Sequence, residues 1–116
     1  VLAIVITASL VAAATTTGCK KSPVASDDGR QLFANTCARC HGADGAGGTP
    51  SFAGGPAPRN FHDHAFHEAR TDEQLRMVIV NGKGTAMPPF GTMFDDQQLR
   101  ALVAYVRSLD GQPVAR

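Results

Sequence analysis

The sequence predicts a small all-α domain. Three observations carry this expectation: two helix starts marked by capping boxes, an apolar stripe at helical spacing near the C-terminus, and no segment with convincing strand alternation. A chain of 116 residues has room for one domain, and no internal repeat is visible.

Residues 1–14, VLAIVITASLVAAA, hold no charge and only two polar side chains, Thr7 and Ser9. The run is shorter than the roughly 20 residues of a membrane span and suits the apolar core of a signal peptide. No Met and no Lys or Arg precedes Val1, so the start is expected to be truncated or read late. Residues 1–18 are therefore expected to be a signal peptide that is removed. After Cys19, residues 20–28 read KKSPVASDD, a polar stretch broken by proline that suits a short tether. The folded domain is expected over residues 29–111, with 112–116 as a tail.

Residues 29–40, GRQLFANTCARC, contain no proline and place Leu32, Phe33 and Thr36 near one helical face. Asp27 or Asp28 can cap the start of this helix, and Gly42 lies where it would stop. Residues 42–58 hold six glycines and three prolines, so no regular element is expected there. A loop that long in a compact domain usually wraps something or performs a function. Thr71 with Gln74 opens a middle helix through about Val80, with Leu75, Val78 and Ile79 at helical spacing and Asn81, Gly82 and Gly84 at its end. Asp95 with Gln98 opens the last helix. Its stripe is Leu99, Leu102, Val103, Val106 and Leu109, and Gly111 and Pro113 close it.

The formal charge is +1, with 11 basic and 10 acidic residues and no long single-sign block. Phosphate backbones require a concentrated basic face, so nucleic acid is not the expected partner. With 43% hydrophobic residues the chain is not expected to be disordered. A domain this small buries a thin core and gains from a staple, a metal or a large cofactor.

Three cysteines are present: Cys19, Cys37 and Cys40. An odd number in an exported protein leaves at least one outside simple pairing. The segment Cys37-Ala38-Arg39-Cys40-His41 accounts for two of them. On a helix Cys37 and Cys40 are i and i+3, so both sulfurs project from one side. That spacing suits two thioethers to the vinyl groups along one porphyrin edge, and His41 then reaches the iron from below the ring. C-x-x-C-H reads as c-type haem attachment on these grounds. A redox dithiol also uses C-x-x-C, but in a βαβ context that is missing here. Zinc would need two further ligands at suitable spacing.

Met77, Met87, Met93, His62, His64 and His67 are the candidates for a second axial ligand. Met87 lies in Gly84-Thr85-Ala86-Met87-Pro88-Pro89-Phe90, where two prolines stiffen the loop that would present its thioether. Met77 falls on the middle helix and reads as packing or partly exposed surface. Met93, beside Phe94, is expected in the core. The histidines of Phe61-His62-Asp63-His64-Ala65-Phe66-His67 are expected on a solvated surface. The glycine-rich loop lacks the Gly-Lys-Ser/Thr ending of a phosphate cradle.

Residues 29–109 resemble the class I cytochromes c, in particular the short bacterial monohaem type. The resemblance is carried by Gly29 and Phe33, the attachment motif through Gly42, Pro50, and Pro58-Arg59-Asn60-Phe61. It continues through Asn81-Gly82-Lys83-Gly84, Met87-Pro88-Pro89-Phe90, and Leu102-Val103-Ala104-Tyr105-Val106. It implies a fold in which the first and last helices cross, with a middle helix, all wrapped around one covalent haem c. Gly29 and Phe33 would lie at that crossing, against Leu102 and Tyr105. The resemblance also implies that the Pro50 carbonyl accepts the proton of the other nitrogen of His41, and that Arg59 faces a haem propionate. Thr16-Thr17-Gly18-Cys19 resembles a bacterial lipobox, with Thr16 where leucine is usual, and implies a lipid-modified Cys19.

The resulting expectation is a single-electron carrier with His41 and Met87 on the iron, which leaves no vacant position for substrate. Its partners would be a redox donor and acceptor, expected among membrane oxidoreductases. Its expected place is the periplasmic side of a bacterial membrane, held by the lipid, or free in the periplasm. A monomer or a complex subunit is expected. Two other readings stay open: a haem-bearing subunit of a larger oxidoreductase, and a haem enzyme or gas sensor.

Overall fold

The computed structural model describes residues 26–111, and the expected signal peptide, Cys19 and most of the tether lie outside them. Five α-helices follow in order: α1 (Gly29–Leu32), α2 (Ala38–His41), α3 (His64–Glu68), α4 (Asp72–Asn81) and α5 (Asp96–Ser108). A π-helical segment, Phe33–Cys37, joins α1 to α2. The first helix of the sequence reading is thus one continuous rod with a widened segment that ends on Cys37. Asp28 caps it, its side chain accepting from the Gln31 N–H, and Gly42 ends it.

Both capping boxes form. Thr71 accepts from the Gln74 N–H while Gln74 accepts from the Thr71 N–H, and Asp95 and Gln98 do the same for α5. Gln98 is only 1% exposed, because its amide also reaches across to the Ser26 carbonyl at 2.7 Å. That bond ties the start of α5 to the segment entering α1.

The stripe on α5 is the spine of the core. Leu99, Leu102, Val103, Val106 and Leu109 are all buried, and Leu32, Phe33, Phe61 and Phe94 pack with this stripe. Burying one such side chain contributes about 1.5–3 kcal/mol. The first and last helices cross, and Phe33 meets the Tyr105 ring at 5.1 Å between centroids. Gly29 sits at the contact: a Cβ there would lie 2.1 Å from the Ala101 carbonyl oxygen.

Two expectations are corrected. Met93 is 36% exposed, while its neighbour Phe94 is 5% exposed and fills the core. The turn that leads into α5 can turn only one of two adjacent side chains inward, and the ring buries more apolar area. Met93→Ala is therefore expected to cost less than about 1 kcal/mol in denaturant unfolding, well below the price of emptying a core site. Second, the histidine stretch is not wholly solvated surface. It contains the short helix α3, capped by Asp63, and His67 on it is buried at 5% exposure. His64 is exposed as expected, facing Asp110 at 3.0 Å.

Arg107 joins α5 to the α3–α4 junction. It pairs with Asp72 at 2.8 Å and donates to the carbonyls of His67 and Arg70. No helix among the described residues is long and apolar enough to cross a membrane.

Candidate functional site

Five pieces of chain, brought together from along the sequence, enclose one apolar cleft. Its walls are Phe33, Cys37, His41, Phe61, Ile79, Met87, Leu102 and Val106. The first rod brings Cys37 and His41, α4 brings Ile79, α5 brings Leu102 and Val106, and the loop after α4 brings Met87. No charged side chain lines it.

The cysteines are both free thiols and partly buried. Burial, and secondarily the neighbouring Cys40, push the Cys37 thiol up to about 11. It therefore stays protonated at neutral pH in the folded chain. Dithiol oxidoreductases lower this value to hold a thiolate, so the shift argues against that reading of C-x-x-C. Zinc fares no better, since no three His, Cys, Asp or Glu side chains converge among the described residues.

Burial lowers the pKa of His41, opposed by its bond to the Arg59 backbone, so the imidazole is neutral at neutral pH. Nδ1 donates to the Arg59 carbonyl at 3.3 Å. That bond places the proton on Nδ1 and leaves the Nε2 lone pair for a metal. The resemblance implied Pro50 for this role, but Arg59 fills it. The reason is the path of the glycine-rich loop. The Gly47 N–H returns to the His41 carbonyl at 3.0 Å, and the Phe61 N–H bonds the Gly45 carbonyl at 2.8 Å. These two bonds draw the segment at 59–61 across the imidazole. The Phe61 ring then stacks on His41, 4.6 Å between centroids and 23° from parallel. The Arg59 side chain is half exposed, 3.9 Å from Asp63 and over the Phe66 ring.

The Met87 loop is closed by two bonds between Lys83 and Met87, at 2.9 and 3.2 Å. Its return strand satisfies the last carbonyls of α4: Phe90 donates to Ile79 and Gly91 donates to Val80. Gly82 permits this closure. It takes φ +72°, and a Cβ there would lie 2.4 Å from the Met87 carbonyl oxygen. Met77 is 41% exposed on α4 and outside the cleft.

The Cys37 thiol, a neutral imidazole that keeps Nε2 for a metal, and the Met87 thioether thus meet around an apolar space, with Cys40 one helical turn beyond Cys37. This donor set fits an iron already held in a macrocycle, because the protein itself supplies too few ligands for a bare ion. Fold and site together define a c-type cytochrome. The family model for subunit III of the cbb3-type cytochrome c oxidase matches residues 24–106, and the chain belongs to that family.

Among curated proteins, the cbb3-type oxidase subunit CcoP of Rubrivivax gelatinosus is 34% identical over 94 residues, 80% of this chain and 29% of that protein. Subunit FixP of Sinorhizobium medicae is 33% identical over 73% of this chain and 30% of its own length. The chain thus spans about three tenths of these relatives. Among solved structures, the KustC0563 c-type cytochrome superposes with a TM-score of 0.63 at 30% identity, covering 72% of this chain and 98% of the other. A c-type cytochrome domain implies covalently bound haem c, electron transfer and an extracytoplasmic location.

Phe61, Ile79 and Val106 line the cleft but were not marked as site residues by the sequence. Ile79 and Val106 were visible as members of apolar stripes, and nothing local distinguishes a stripe that faces a cofactor from one that faces core.

Proposed function

We propose that this domain carries one haem c, attached through Cys37 and Cys40 and ligated by His41 and Met87, and passes electrons as a haem-bearing subunit of a membrane oxidoreductase. The observation that carries the haem reading is the meeting of Cys37 and His41, from one C-x-x-C-H motif, with Met87 on one uncharged cleft. Bound haem supplies a one-electron couple. The chain's part is to attach it, hold Nε2 of His41 and the sulfur of Met87 toward it, and keep water out with Phe33, Phe61 and Leu102. Arg59, half exposed, in a long pair with Asp63 and over the Phe66 ring, would offer its cation to a propionate. The relatives named as oxidase subunits favour a subunit over a freely diffusing shuttle.

The single attachment motif predicts the stoichiometry. Intact mass after acid-acetone extraction is expected to equal the polypeptide plus one haem. A mass equal to the bare polypeptide refutes covalent attachment, and Cys37→Ser with Cys40→Ser is expected to abolish it.

The membrane half of the proposal includes a lipid on Cys19, which lies outside the described residues. A single acyl chain binds only marginally, so anchoring needs the several chains of a bacterial lipoprotein. In fractionated cells, native haem is expected in the membrane, co-purifying with an oxidoreductase in fixed ratio. Cys19→Ser is expected to release it from the detergent phase. Native haem that is fully soluble and partner-free would establish a periplasmic shuttle instead.

A further inference from the structure

His67 is a buried titratable group that none of the foregoing uses. It is 5% exposed on α3, and both ring nitrogens are engaged. Its Nε2 lies 2.7 Å from the Phe61 carbonyl oxygen, and its Nδ1 lies 3.4 Å from Nη1 of Arg107. A guanidinium only donates, so Nδ1 accepts and the proton sits on Nε2, which donates to Phe61. Arg107 is itself held by Asp72 at 2.8 Å and donates to the His67 carbonyl at 2.8 Å. Ring, tautomer and acceptor are therefore locked together.

The residue that receives this bond carries the stacking face of His41, and two positions earlier the chain carries the Nδ1 acceptor. Other bonds also hold the segment near 59–61: Asn60 accepts from the His62 N–H at 2.8 Å, and the His62 ring meets the Asp44 carbonyl at 2.8 Å, but neither engages the Phe61 carbonyl. Phe61 is bonded through its N–H to Gly45, within a loop that lacks regular structure. Packing of Phe61 against Phe33 and Phe66 holds the ring but not the carbonyl of Arg59. The bond from His67 restrains the backbone itself.

We infer that His67 is a positioning residue for the proximal imidazole: its Nε2–H bond to the Phe61 carbonyl holds the 59–61 segment, and with it the Arg59 carbonyl and the Phe61 ring, against His41. The inference rests on the reading of His41 as the iron ligand. A ligand's outer hydrogen bond fixes its ring orientation and basicity, so the effect reaches the metal without contact.

Two near-isosteric variants separate this role from packing. In His67→Gln the side-chain amide falls near Nε2 and can still donate to Phe61. In His67→Asn it falls near Nδ1 and cannot. The readout is proton NMR of the oxidised, haem-loaded protein: the hyperfine-shifted His41 ring resonances and solvent exchange of the His41 Nδ1 proton. The Asn variant is expected to move those resonances and to speed exchange about tenfold or more, as local opening becomes easier. The Gln variant is expected to stay close to wild type in both. If both variants lose stability alike while the His41 signals hold, His67 is packing only and the inference is overturned. If wild type shows no hyperfine-shifted His41 signals, the ligand reading has failed first, and the inference falls with it.

Discussion

Reduced Met87→Ala protein is expected to bind carbon monoxide, which the parent does not, and its midpoint potential is expected to drop by about 0.1–0.2 V. Axial ligands tune haem potentials over roughly 0.8 V, and a thioether favours the reduced iron. Without it, His41 would be the one protein ligand left to the iron, and carbon monoxide could bind. The fold is expected to survive, because Met87 is only half buried and the loop is held by backbone bonds that its side chain does not make. Lys83 still pairs with residue 87, and Phe90 and Gly91 still satisfy the end of α4. Met93→Ala is the matched control, since its side chain is outside the cleft walls. A Met93 variant that loses the thioether absorption signature, with a Met87 variant that keeps it, would transfer the assignment to Met93.

Gly29→Ala is expected to lower stability by about 3 kcal/mol or more, the upper range of overpacking, which in a domain of this size is a drop of about 12–24 °C in Tm. The new Cβ would stand 2.1 Å from the Ala101 oxygen, 2.6 Å from its carbon and 3.2 Å from Cβ of Tyr105. Two of these are backbone atoms on the longest helix, so no side chain can rotate out of the way. The helices must separate, and the cost spreads to Phe33 and Leu102 behind the contact. Alanine has the higher helix propensity, which taken alone predicts a gain. The two effects have opposite signs, so thermal unfolding followed by circular dichroism decides between them. An unchanged or raised Tm would mean that the helices do not cross at Gly29.

The parts of this protein legible in its sequence are those encoded over a few residues. Thr71 with Gln74 and Asp95 with Gln98 announce two helix starts, because a capping box closes within one turn. The α5 stripe announces its buried face because a helix repeats every 3.6 residues, and each of its five members is buried. Attachment chemistry is equally local: Cys37, Cys40 and His41 need only one helical turn to be adjacent. Gly29 was legible through resemblance, and the crossing against Tyr105 forms as it implied.

Other features had no local signal. Met93 and Phe94 are adjacent and both apolar, and only the direction of the turn before α5 selects which one is buried. His67 looks in sequence like the half-buried His62 and the exposed His64 until Arg107, 40 residues later, is folded against it. The acceptor for His41 lies 18 residues away across a glycine-rich loop. That loop has no periodicity from which its return path could be read, so nothing local pointed to the Arg59 carbonyl in place of Pro50.

From the sequence alone came the class of chemistry, two sulfurs and an imidazole at haem-attachment spacing, and the helices that carry it, because both depend on covalent spacing and backbone geometry. Only the tertiary structure decided which carbonyl meets His41 Nδ1, which of Met93 and Phe94 is buried, and which histidine is buried. Those outcomes are set by contacts between segments far apart in the chain, where a few bonds from Gly45, Gly47, Arg107 and the end of α4 choose among paths that local propensity leaves nearly equal.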